Sequence, residues 1–81
     1  SGKTVVAVAA MLSVIQSGYQ AALMAPTEVL AEQHFQKIND WFKSLKLSVA
    51  LLTSSTPTVQ RRTIHANLRS GQLSLLIGTH T

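Results

Sequence analysis

Three short apolar runs, each preceded by a helix-length segment, constrain this chain more than any other feature. Residues 20–25, 47–52 and 73–77 read as short strands buried in a sheet. Ahead of the first, Thr4 to Ser17 is apolar nearly all round, as in a helix packed on a sheet, and Gly18 is well placed to stop it. Ahead of the second, Glu28 to Ser44 carries Ala31, Phe35, Ile38, Phe42 and Leu45 on one stripe at four-three spacing. Glu32, Gln36, Lys37, Asp40 and Lys43 fall on its wet side. Ahead of the third, Thr56 as N-cap and Pro57 in the first turn open a helix that runs to Ser70 and closes at Gly71. Helices alternating with strands at this spacing predict an α/β fold with a parallel sheet and right-handed crossovers. The loops after the carboxyl ends of parallel strands share one edge, where ligands bind in such sheets. Pro26-Thr27, Thr53-Ser54-Ser55 and Gly78-Thr79-His80 are those loops.

Composition sharpens this reading. Hydrophobic residues make up 46% of the 81 and charged residues only 12%, against about 25% charged in ordinary soluble domains. Such a balance belongs to a domain interior, and a chain of this length buries only about 60% of its unfolded surface. The net charge of +4 suits an anionic partner such as a nucleotide or nucleic acid, although the basic residues are scattered from Lys3 to Arg69. With no cysteine, a disulfide framework, a thiol nucleophile and a cysteine-zinc cluster are excluded. The apolar run of residues 5–15 is shorter than the roughly 20 residues a bilayer span needs. Lys3 and the Ala-rich residues 7–10 only faintly mimic a signal peptide. The absent Met and the Gly-Lys-Thr start are those expected of a fragment of a cytosolic protein.

Ser1-Gly2-Lys3-Thr4 matches the second half of a phosphate-binding loop, G-x-x-x-x-G-K-[ST]. In such a loop backbone N–H groups point at phosphate oxygens, the Lys reaches the β/γ-phosphates and the hydroxyl binds Mg²⁺. The plain alternative is an ordinary helix start capped by Thr4.

The chain's other blocks carry a resemblance. Ala25-Pro26-Thr27-Glu28-Val29-Leu30-Ala31-Glu32-Gln33-His34, Leu51-Leu52-Thr53-Ser54-Ser55 and Ile77-Gly78-Thr79-His80 follow the Gly-Lys-Thr start in order. Together they resemble the superfamily two DNA helicases and translocases across essentially the whole chain. Within that superfamily, Glu28 after Pro-Thr favours the branch-migration helicases over the transcription-repair coupling translocases. One departure is Ser54, where the family usually has Gly.

The resemblance implies a partial RecA-like P-loop motor domain of three helix-strand units, with the first strand and the Walker B strand missing. Residues 1–81 would be a fragment of the first, ATP-binding motor domain. ATP and Mg²⁺ would be the cofactors: Ser1 and Gly2 in the cradle, Lys3 on the β/γ-phosphates and Thr4 on the metal. Pro26, Thr27, Thr53, Ser55, Thr79 and His80 would fall on loops that touch the DNA backbone. Forked or branched DNA would be the partner, in recombination and repair in the cytoplasm. A second motor domain and a wedge domain would lie on the same polypeptide. The competing readings are another P-loop NTPase, such as a kinase or transport ATPase, and a non-catalytic module that docks through its apolar faces.

Bland roles stand beside these. Thr27 can simply cap the helix begun by Glu28, and Glu28 can simply complement that helix's positive end. Gln33 and His34 are expected to pack or face solvent, and Trp41, Phe35 and Phe42 to form core or a domain interface. Arg61 and Arg62 read as a solvated face, and His65 has no matching metal-ligand set. The only acids are Glu28, Glu32 and Asp40, all on the second helix, whereas hydrolysis needs one acid to hold Mg²⁺ and another to orient water. The family's Asp-Glu pair would lie beyond Thr81. The segment alone is therefore expected to lack ATPase activity and to be marginally stable.

Overall fold

The structure, a computed structural model, describes residues 2–79; Ser1, His80 and Thr81 lie outside the described residues. Six elements alternate: α1 (Gly2–Gln16), β1 (Ala21–Ala25), α2 (Glu28–Ser44), β2 (Val49–Leu52), α3 (Thr58–Ser70) and β3 (Leu75–Thr79). The strands form one parallel sheet in the order β1-β3-β2. The expected α/β class therefore holds, and the last strand in sequence is central.

α2 organises the core. Thr27 sits in extended backbone and caps it, its Oγ1 accepting from the Leu30 N–H at 3.2 Å. At the other end the Lys46 N–H donates to the Lys43 carbonyl and the Leu47 N–H to that of Phe42. Lys46 takes the left-handed conformation (φ 59°) that this closure requires. Ala31, Ile38 and Phe42 are fully buried against Leu75 and Ile77 of β3. Leu45, placed by spacing on the same stripe, is 50% exposed because the helix is already unwinding there.

α1 departs from the expectation of all-round burial. Among its described side chains only Val8 is buried, with Met11, Leu12 and Ile15 partly covered, while Val5 and Val6 stand open to solvent. The reason is geometric: among the described residues α1 packs chiefly on β1, itself an edge strand. β1 shows the same half coverage, with Ala25 buried, Ala21 and Leu23 partly buried and the alternating Ala22 and Met24 exposed.

The third unit differs from the sequence reading at both ends. Pro57, not Thr56, is the N-cap of α3, and no side chain caps it. β3 begins two residues later than expected, at Leu75, so Gly78 and Thr79 belong to the strand and pair with Met24 and Ala25 of β1. Leu73, although buried, precedes it: the Gln20 amide donates to the carbonyls of Leu73 and Leu68, both at 2.9 Å, and holds this approach in place. Gly78 is required where it stands, because a Cβ there would lie 2.8 Å from the Leu52 carbonyl oxygen.

Candidate nucleotide and nucleic-acid interface

Parallel pairing sets the ends of the three strands side by side, Ala25 opposite Thr79 and Leu52 opposite Gly78. Pro26-Thr27 and the turn Thr53–Thr56 therefore leave from one edge, as the sequence predicts. α1 packs back along β1, which returns its first turn to that edge. Lys3 is exposed there and lines a cavity of about 160 Å³ with Ala7, Met11, Leu23, His34 and Ile38. His34 thus sits half-buried in the seam between α1 and α2, on the Lys3 side.

The first turn of α1 contains no acidic residue, so nothing of its own charge opposes an anion at the positive end of the helix dipole. With Lys3 beside those N–H groups, the donor set fits a nucleotide phosphate. The Thr4 side chain, expected on Mg²⁺, and Ser1 lie outside what is described. No group of three or more His, Cys, Asp or Glu able to hold a metal occurs among the described residues.

The two following loops differ in how much they leave exposed. Pro26 and Thr27 face solvent. Thr27 Oγ1 accepts the capping hydrogen bond, and a hydroxyl that accepts keeps its own proton to donate. Capping and phosphate contact are therefore compatible. In the next loop Thr53 is only 6% exposed. Its N–H donates to Thr56 Oγ1 at 2.9 Å, and its own Oγ1 accepts from the Ser55 N–H at 3.2 Å. This use of Thr56 is why it does not cap α3. Thr79 is likewise buried, and His80 lies outside the described residues.

Two charged side chains hold the turn from opposite polarities. Arg61, from the first turns of α3, donates through Nε to the Thr56 carbonyl at 3.1 Å and through Nη2 to the Thr53 carbonyl. It is half-buried rather than part of a solvated face. Glu28 reaches across from α2: Oε1 accepts from the Ser54 N–H (3.1 Å) and the Ser54 hydroxyl, and Oε2 from the Ser55 hydroxyl (3.0 Å). The Ser54 hydroxyl first and the Ser55 hydroxyl second hold the Glu28 carboxyl below the ordinary glutamate range. Sequence reasoning missed both bridges. The one available signal was Ser54 itself, whose hydroxyl supplies a donor that a Gly would lack.

A larger groove of about 530 Å³ opens between α2 and α3, lined by Phe35, Leu51, Pro57, Val59 and Ile64 among others. Its apolar lining, and the absence of Lys3 from it, set it apart from a nucleotide site. Trp41, expected in core or interface, is 42% exposed.

An acid-free helix start at Lys3 and two hydroxyl-bearing loops on one edge of a parallel sheet have the layout of a P-loop nucleotide-binding fold. The family model "DEAD/DEAH box helicase" matches residues 1–81, and the chain belongs to that family. It is 68% identical over 80 residues to the ATP-dependent DNA helicase RecG of Synechocystis, and 44% identical over 80 residues to that of Aquifex aeolicus. Both alignments take in 99% of this chain and 10% of the relative, so the chain spans about a tenth of their length. Among solved structures, that of RecG bound to a three-way DNA junction superposes with a TM-score of 0.92 at 42% identity. The match covers 99% of this chain and 11% of that one. The fold is thus a partial RecA-like domain, and the resemblance read from the four blocks holds. No helix among the described residues is long and apolar enough to cross a membrane.

Proposed function

We propose that residues 1–81 form part of the first motor domain of an ATP-dependent DNA helicase that remodels branched or forked DNA in recombination and repair. The observation that carries this reading is the whole-chain superposition on RecG bound to a three-way junction, at a TM-score of 0.92. Lys3 holds the β/γ-phosphates of ATP, with the N–H groups at Gly2 and Lys3 and the residue Ser1 in the cradle. Thr4 meets the Mg²⁺, which when bound neutralises charge on the phosphates. Pro26, Thr27, Thr53, Ser55, Thr79 and His80 form the edge that meets the DNA backbone. For Thr53 and Thr79, whose side chains are buried, the contribution is to set the backbone; Thr27 offers a hydroxyl. Hydroxyls and N–H groups contact phosphates without reading bases, which suits a motor that steps along any sequence.

A second motor domain and a junction-reading wedge on the same polypeptide complete the machine, which works in the cytoplasm. The test is DNA-dependent ATP hydrolysis by the full-length protein on a branched substrate. Lys3→Ala should lower turnover by about 10²-fold or more, the scale of losing one electrostatic stabiliser of the transferred group. Turnover that survives this change overturns the assignment of the nucleotide site.

A further inference from the structure

The turn at Ser54-Ser55 is exposed at the ligand edge, yet three of its donors are already taken. The Ser54 N–H, the Ser54 hydroxyl and the Ser55 hydroxyl all point at one carboxylate, that of Glu28. Each of these donors carries a single proton, so none can serve a second anion fully at the same time. A carboxylate and a backbone phosphodiester present the same thing to such donors, two acceptor oxygens sharing one negative charge. Glu28 therefore occupies the position that a strand phosphate would need.

We propose that Glu28 gates this turn, holding the Ser54 and Ser55 donors in the absence of DNA and yielding them to a backbone phosphate of the bound strand. The inference rests on the reading that this edge binds DNA. Two features make Glu28 displaceable instead of a fixed brace. It is held by hydrogen bonds alone, with no cationic partner among the described residues. The turn also keeps its shape without it. Arg61 grips the carbonyls of Thr53 and Thr56, and the Thr53–Thr56 bonds close the turn internally. Thr27, next to Glu28 in sequence and exposed, gives the arriving phosphate a neighbouring hydroxyl. In this chain Ser54 strengthens the latch by one donor over a glycine.

The test is fluorescence anisotropy of a single-stranded oligonucleotide with the full-length protein, without nucleotide, comparing the unaltered protein with Glu28→Gln, Glu28→Ala, Ser55→Ala and Glu28→Gln/Ser55→Ala. Removing the competing charge should tighten binding about threefold to fivefold in both Glu28 variants, the size of one exposed charge interaction. Ser55→Ala should weaken binding more in the Glu28→Gln background, where the hydroxyl has been released, than in the unaltered protein. Unchanged or weaker binding by both Glu28 variants, with the unaltered protein still binding DNA, makes Glu28 a brace and overturns the gate alone. No binding by the unaltered protein overturns the helicase reading, and the gate with it.

Discussion

The two helices that start on the ligand edge, α1 and α2, are built in opposite ways. α2 begins satisfied: Thr27 caps it, Glu28 in its first turn is spent on the neighbouring loop, and Ala31, Ile38 and Phe42 anchor it in the core. α1 begins with an exposed lysine and no acid in its first turn, and among its described side chains it buries only Val8. A helix start can serve as a phosphate site only while its own residues leave the positive end unopposed. By that criterion the start of α1 is open to an anion, whereas α2 carries its own cap, Thr27, and a carboxylate, Glu28, in its first turn.

The largest effect belongs to the anchor of α2: Phe42→Ala should cost about 3–5 kcal/mol in urea denaturation, because the ring is fully buried. A loss below about 1 kcal/mol would mean that α2 is no better anchored than α1. Gly78→Ala should cost about 1–3 kcal/mol, since the new methyl meets the Leu52 carbonyl at 2.8 Å and backbone must shift. Because Gly78 ties β3 to β2 where the Thr53 turn begins, the same change should also weaken DNA binding. At the far end of α2, Lys46→Gly should stabilise by about 0.5–1 kcal/mol by removing a side chain from a left-handed position.

The smallest effect is acid-base. The Glu28 carboxyl is held below its ordinary range, so its latch contributes stability above the unfolded-state pKa and loses it as pH falls through the lowered folded value. Carbon-13 NMR of the carboxyl should show titration on the acid side of a free glutamate. Titration in the ordinary range would mean that the serine hydrogen bonds do not persist in solution.

How far the sequence reaches depends on whether a signal is local. The limits of α2, Glu28–Ser44, and its Thr27 cap were readable because stripe, cap and first-turn acid lie within a few residues of one another. The sharing of one edge by the loops followed from alternation alone. The start of β3 was not readable, since Leu73, Leu75 and Ile77 keep one buried face whether the strand opens at Leu73 or at Leu75. In the structure the Leu73 carbonyl accepts from the side chain of Gln20, a partner distant in the chain, and strand pairing begins at Leu75. Thr56 looked like a cap because Pro57 follows it, but the Thr53 N–H claims its hydroxyl first. The roles of Glu28 and Arg61 depend on the loop between them being brought within reach. The apolar surface of α1 pointed to full burial, yet how much is covered depends on what neighbours its strand.

On the proposed reading this edge divides its work, with Lys3 at α1 serving the nucleotide and the loops after β1 and β2 serving the DNA strand. The most direct test of this division is parallel binding of a fluorescent ATP analogue and a three-way DNA junction to full-length Lys3→Ala and Thr27→Ala variants. Lys3→Ala should lose the nucleotide while still binding the junction, and Thr27→Ala should weaken the junction more than the nucleotide. Nucleotide binding that survives Lys3→Ala, or a Thr27→Ala variant that loses nucleotide more than junction, would contradict this division.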